Sequence, residues 1–153
     1  MTQKLTILLA LAALAVPAVA EDAKKLALKD LPAAVQKTVN DNLKGAEIKG
    51  IDKETEHGVT QYEVETMLNG KHRDFEVDTK GTLLVVEEET TIDAIPAAAK
   101  AAILKKVGAG KFGTVETVTK TGQAMMYEAE YTTKAGKKSE VLVKADGTET
   151  KED

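Results

Sequence analysis

The sequence predicts an α+β fold of two tandem units, each with one helix packed on a three- to four-stranded antiparallel β-meander. Three observations predict it. A series of short motifs returns in the same order about 65 residues later. Two apolar stripes recur at helical spacing. Strands of alternating polarity are joined by turn-forming residues.

Residues 1–20 read as a secretory signal peptide cleaved after Ala20. Lys4 supplies a positive start, Leu5 to Val16 an apolar run, and Ala18-Val19-Ala20 the small-x-small pattern that a signal peptidase reads. The run is shorter than the roughly 20 apolar residues of a spanning helix. The expected location is therefore periplasmic or secreted. A first unit at 21–89 and a second at 90–153 follow.

The matches carry the duplication. Leu31-Pro32-Ala33-Ala34 returns as Ile95-Pro96-Ala97-Ala98, and Tyr62-Glu63-Val64-Glu65 as Tyr127-Glu128-Ala129-Glu130. The turn at Gly81 returns at Gly147, so the offsets drift from 64 through 65 to 66 residues. In the first unit Leu31, Val35, Val39 and Leu43 form the helical stripe. Pro32 sits at an early helical position and Gly45 suits a C-cap. Ile95, Ala99, Ile103 and Val107 repeat the stripe, and Gly108 ends it. Strands are expected over 48–54, 61–68, 71–77 and 82–87, then over 114–120, 125–133 and 137–143. The second unit's last strand is expected to be short or frayed.

Asn69-Gly70 is the signature of a two-residue hairpin turn, because both central positions need positive φ. That turn pairs Leu68 with Lys71 and sets the whole register. Val64 then faces Phe75, and Tyr62 faces Val77, on the apolar side. Glu65 faces Asp74 and Glu63 faces Glu76 on the other side. A three-residue loop at Lys134-Ala135-Gly136 would set Glu130 opposite Glu140. Like charges directly opposite cost about 0.2–1 kcal/mol per pair. One reading is a solvated face relieved by Lys49 and Lys53 on the neighbouring strand. The other is a face that receives something positive, either a basic patch on a protein or Ca²⁺. Oxygen ligands suit a hard cation, but a flat strand pair cannot wrap one, which favours the protein. Tyr62, Tyr127 and Tyr131 fall on the apolar side. Met67 and Met126 fall on the polar side and are candidate apolar contacts.

A Leu/Ile-Pro helix followed by a Tyr-Glu-x-Glu strand and a glycine turn, twice over behind a signal peptide, resembles the PepSY-like family of periplasmic proteins. These are described as β-lactamase-inhibitor-like. The resemblance spans nearly the whole chain after residue 20 and rests on Leu31-Pro32 with 62–65 and Ile95-Pro96 with 127–130. It implies helices on one face of an antiparallel sheet and a non-enzymatic binding or inhibitory role. It transfers no catalytic residues.

Composition narrows the chemistry. Lys4 is the one charged residue in 1–20, so the remaining 133 residues carry 20 basic and 25 acidic side chains, a net charge of −5. Such a balance disfavours nucleic acid and anionic membrane as partners. With no cysteine there is neither a disulfide framework nor a thiol nucleophile. After residue 20 the one serine is Ser139, and the two histidines are His57 and His72. His72-Arg73-Asp74 matches a kinase tripeptide without the rest of that machinery, and Gly108 to Lys111 follows a helix where a phosphate loop would precede one. No enzyme, cofactor or metal site is expected. The reading is a binding protein acting on an unidentified protein partner through Glu63, Glu65, Asp74, Glu76, Glu130 and Glu140. A carrier of a small ligand or Ca²⁺, using the acidic face or a cleft between the units, is the competing reading.

Overall fold

A computed structural model describes residues 26–56 and 58–150. The signal segment 1–20, His57 and residues 151–153 lie outside the described residues.

A single turn at Leu28–Asp30 leads into helix α1 (Ala33–Leu43). Pro32 stands just before the helix, and its carbonyl accepts the Gln36 amide at 2.9 Å. It is thus the cap rather than an early helical residue, and its missing N–H leaves no bond unmade. Lys44, at φ 47°, ends α1 in the left-handed conformation expected of Gly45. Four strands follow: β1 (Glu47–Glu56), β2 (Val59–Leu68), β3 (Lys71–Asp78) and β4 (Leu83–Thr90). Helix α2 (Ala97–Val107) repeats the Pro-initiated start after Pro96. Then come β5 (Lys111–Lys120), β6 (Met126–Thr132), β7 (Lys138–Lys144) and the two-residue β8 (Glu149–Thr150).

The expected fold class is corrected at the middle of the chain. The eight strands form one antiparallel sheet in chain order, not two separate meanders each under its own helix. The join is β4 with β5, which pair from Val85↔Lys120 to Thr90↔Val115. The physical reason is the edge: two four-stranded sheets would each leave a row of unpaired N–H and C=O groups, and pairing those rows satisfies both. The molecule is dominated by its sheet, with two short helices on one side.

Both helices cover the same face. Val35 and Val39 of α1 pack with Ile51, Tyr62, Val64, Phe75 and Val77. Ala99, Ile103 and Val107 of α2 pack with Val115, Ala129, Tyr131, Val141 and Val143. Each fully buried Val, Ile or Phe contributes about 1.5–3 kcal/mol, and helices this short depend on that packing to persist. Gly81 and Gly147 let the sheet approach the helices: a Cβ there would stand 2.7 Å from the carbonyl oxygens of Ala34 and Ala98.

Arg73, in the tripeptide that resembles a kinase motif, is structural. Its side chain is buried on the helix side, above the Phe75 ring with 5.7 Å to the centroid. Its Nη1 donates to the Asn42 carbonyl at 2.6 Å and its Nε to Glu88 Oε1 at 2.9 Å. A fixed cation thus meets the C-terminal carbonyls of α1.

Candidate functional site

Strand alternation sends every second side chain to the face without helices. Asn69 and Gly70 take φ values of 53° and 81°, the two positive values that this turn needs. The register that follows sets Val64↔Phe75, Tyr62↔Val77 and Glu63↔Glu76. Because β1 pairs with β2 on the other side, Asp52 stands opposite Glu63 and Glu54 opposite Gln61. Asp52, Glu63 and Glu76 therefore form a lateral row of carboxylates across three strands. A second row runs from Glu65 and Asp74 to Glu87, and a third through Glu89, Glu116 and Glu128.

The face is hollow enough to bury polar groups. Gln61, Asp74, Glu116 and Glu128 are each less than a tenth exposed, though neither α1 nor α2 lies on this face. Asp74 Oδ1 accepts the Thr66 amide at 2.8 Å, while the Thr66 hydroxyl donates to the Arg73 carbonyl. Gln61 Nε2 donates to Glu76 Oε2 at 3.1 Å. The Glu65 carboxylate lies over Gly50, where a Cβ would come within 2.7 Å of Oε2. Glu63 is central. Burial first, then the charges of Glu54, Glu65, Glu76 and Asp74, push its carboxyl from the ordinary 4.5 up to about 8.

The two lysines expected to relieve this face do not reach it together. Lys53 pairs with Tyr62 and so belongs to the helix side. Lys49 lies at the bulge between Ile48 and Gly50 and pairs with Glu47 at 2.6 Å.

The second half of the same face is mixed. Glu130 stands opposite Glu140. Around them Lys111, Phe112, Gly113, Thr132, Lys138 and Ser139 line a shallow hollow. Lys120 stands opposite Val85 and Lys144 opposite Met126. Met126 is not the exposed contact expected of it, because it is 6 % exposed within a small cluster of Val85, Val118 and Leu142. Met67 is half-buried beside His72. Tyr62 and Tyr131 are buried in the helix-side cores, with Tyr127 packed against the second.

Sequence reasoning missed the contributions of Asp52, Glu54, Glu87, Glu89, Glu116 and Glu128. Hairpin arithmetic could have found Asp52 and Glu54, because the register that sets Glu56 opposite Val59 also sets Glu54 opposite Gln61 and Asp52 opposite Glu63. Glu87 comes opposite Asp74 through the β3–β4 pairing, whose register shifts between Glu76 and Val77, and the row of Glu89, Glu116 and Glu128 depends on the join between β4 and β5, which no local turn announces. Among the described residues, no three or more His, Asp or Glu side chains are grouped so as to hold a metal ion.

No family model matches the chain, and no curated protein matches it. Several solved structures resemble it in fold. A presumed periplasmic protein from Bacteroides eggerthii is 17% identical with a TM-score of 0.64, over 79% of this chain and 86% of that one. A DUF2874 family protein from Bacteroides uniformis is 18% identical with a TM-score of 0.63, over 78% and 86%. A BLIP-like protein from Bacteroides fragilis is 18% identical with a TM-score of 0.58, over 80% and 85%. At these identities the likeness is one of fold: the chain shares the architecture of a group of Bacteroides proteins that includes DUF2874 and BLIP-like members.

Proposed function

We propose that this chain is an exported, non-catalytic binding protein that takes a basic protein partner on the helix-free face of its sheet. The observation that carries the reading is the lateral row of Asp52, Glu63 and Glu76, backed by the row from Glu65 and Asp74 to Glu87. Carboxylates concentrated on one face attract a cationic surface and set its orientation. The signal-like segment at 1–20 supports export, as do neighbours described as periplasmic. The two Pro-initiated helices and the Tyr-Glu-x-Glu strands support kinship with the PepSY-like family, and the BLIP-like neighbour is consistent with an inhibitor-like role.

The test is capture from periplasmic extract on the immobilised chain. Capture of the partner should fall steeply as salt rises, since the screening length shrinks to about 3 Å at 1 M. It should also fall for the Glu63→Lys, Glu65→Lys double variant and not for Asp41→Lys on the outer side of α1. Capture indifferent to both salt and reversal would remove this face as the interface.

A further inference from the structure

We infer that the outer edge of β1 is a strand-docking site: an extended basic segment of the partner adds there as a further strand, its cations set against Asp52 and Glu54. This rests on the reading of the acidic face as a receptor for a basic partner and names how that partner attaches.

The two ends of the sheet differ. One end closes on the two-residue β8, whereas at the other the ten-residue β1 is outermost. A strand in that place turns a row of backbone N–H and C=O groups outward. The Leu26 amide donates to the Ile51 carbonyl at 3.3 Å from outside the sheet, so Ile51 is one of the outward-bonding residues. Alternation along an antiparallel ladder makes Lys53 and Thr55 the next two. The Thr55 and Thr60 hydroxyls, 3.2 Å apart, agree with this, because side chains lie closest in a pair that exchanges no backbone bonds. Among the described residues, the Leu26 bond is the one backbone bond made to this outer side, and it stops short of Lys53.

The first half of the edge is guarded. A bulge between Ile48 and Gly50 and the Leu26 contact both interrupt it. From Gly50↔Glu65 to Glu56↔Val59 the pairing runs without a shift, so the second half is regular. There Lys53 and Thr55 place their side chains on the helix side, and Asp52 and Glu54 place theirs on the open face.

That charge selects the occupant. A second copy pairing antiparallel in a register centred on 52, 53 or 54 sets carboxylate opposite carboxylate, and like charges directly opposite repel. A basic segment meets the reverse situation. In an antiparallel addition, the residues facing Asp52 and Glu54 fall in the close pairs, with Cα atoms about 4.5 Å apart. Lys or Arg at both places faces an acid across the new ladder, while the residue between them faces Lys53 and must not be basic. The site therefore takes a segment of the form basic–neutral–basic. Such a strand continues the row of Asp52, Glu63 and Glu76 onto the partner.

Two probes on the purified chain test this: hexalysine, and the end-blocked peptide Thr-Lys-Thr-Lys-Thr-Lys-Thr. At saturation the alternating peptide should slow hydrogen exchange at the Lys53 and Thr55 amides by about tenfold or more, and leave the Asp52 and Glu54 amides, which face β2, unchanged. N-methylation of its threonines, whose amides would bond to β1, should abolish binding. N-methylation of its lysines, whose amides point away, should change affinity by no more than about twofold. Thr55→Pro removes an outward N–H and no bond to β2, so it should weaken the alternating peptide about fivefold and leave hexalysine binding unchanged. The edge is not the site if the alternating peptide fails to bind, if it binds without protecting Lys53 and Thr55, or if both methylation patterns act alike. Salt-sensitive hexalysine binding then leaves the receptor reading standing. Absence of binding by both peptides at millimolar concentration overturns the edge and the receptor reading together.

Discussion

The two halves of the sheet match on one face and differ on the other. Beneath the helices, Gly81 meets Ala34 in the first half as Gly147 meets Ala98 in the second. Each half buries an aliphatic cluster with one or two aromatic rings. On the open face, β1–β4 present rows of carboxylates, whereas β5–β8 intersperse Lys111, Lys120, Lys138 and Lys144 and bury Val118, Met126 and Leu142. Packing explains the likeness, because a face under a helix tolerates few volumes. Neither α1 nor α2 packs on the open face, so its charge is free to differ between halves. That difference is what points to function at the first half.

The largest expected effect tests whether the halves are one sheet. Thr117 pairs with Glu88 on β4 and with Tyr127 on β6. Thr117→Pro removes a ladder donor at an interior position and should cost about 3–5 kcal/mol in urea unfolding. Thr150→Pro in the two-residue edge strand should cost less than about 1 kcal/mol. Equal effects would mean that β4 and β5 do not pair as described.

Gly81→Ala and Gly147→Ala probe the matching face. Both glycines have positive φ, 87° and 85°, and a Cβ at either would press on a helix carbonyl. Each substitution should cost about 2–3 kcal/mol, and the two losses should agree closely. A large loss in one half with none in the other would break the likeness.

Glu63→Gln probes the differing face through pH. The folded carboxyl titrates near 8 against 4.5 for an ordinary one, so between those values the folded state binds more protons than the unfolded. Stability contributed by the neutral acid is present at low pH and is lost as pH rises toward 8. Gln cannot ionise. The variant should match the native chain near pH 4 and exceed it by about 1–3 kcal/mol at pH 9, read from thermal melts. Equal stability at both pH values would show that Glu63 lacks the neighbours described here.

The smallest effect compares charge reversals in the two halves. Glu65→Lys should weaken hexalysine binding by about fivefold, or roughly 1 kcal/mol. Glu130→Lys, with Lys111 and Lys138 already lining its hollow, should weaken it by no more than about twofold. The reverse order would move the receptor surface to the second half.

Much of the local structure was legible from residue order. The stripe of Val35 and Val39 marked the buried side of α1, and Asn69-Gly70 set the β2–β3 register to the residue. That register also puts Glu63 opposite Glu76. Met126 misled because alternation assigns a side chain to a face but not its exposure. Lys53 misled because it alternates with Ile51: the two stand opposite Tyr62 and Val64 and so share the helix side.

The sequence by itself therefore determined the elements, their turns and the identity of the acidic side, since all three follow from contacts within a few residues. The tertiary structure alone decided that β4 pairs with β5 and that the row of Glu89, Glu116 and Glu128 crosses that join. Those outcomes depend on strand edges, where backbone hydrogen bonds are satisfied across distances that no local pattern encodes.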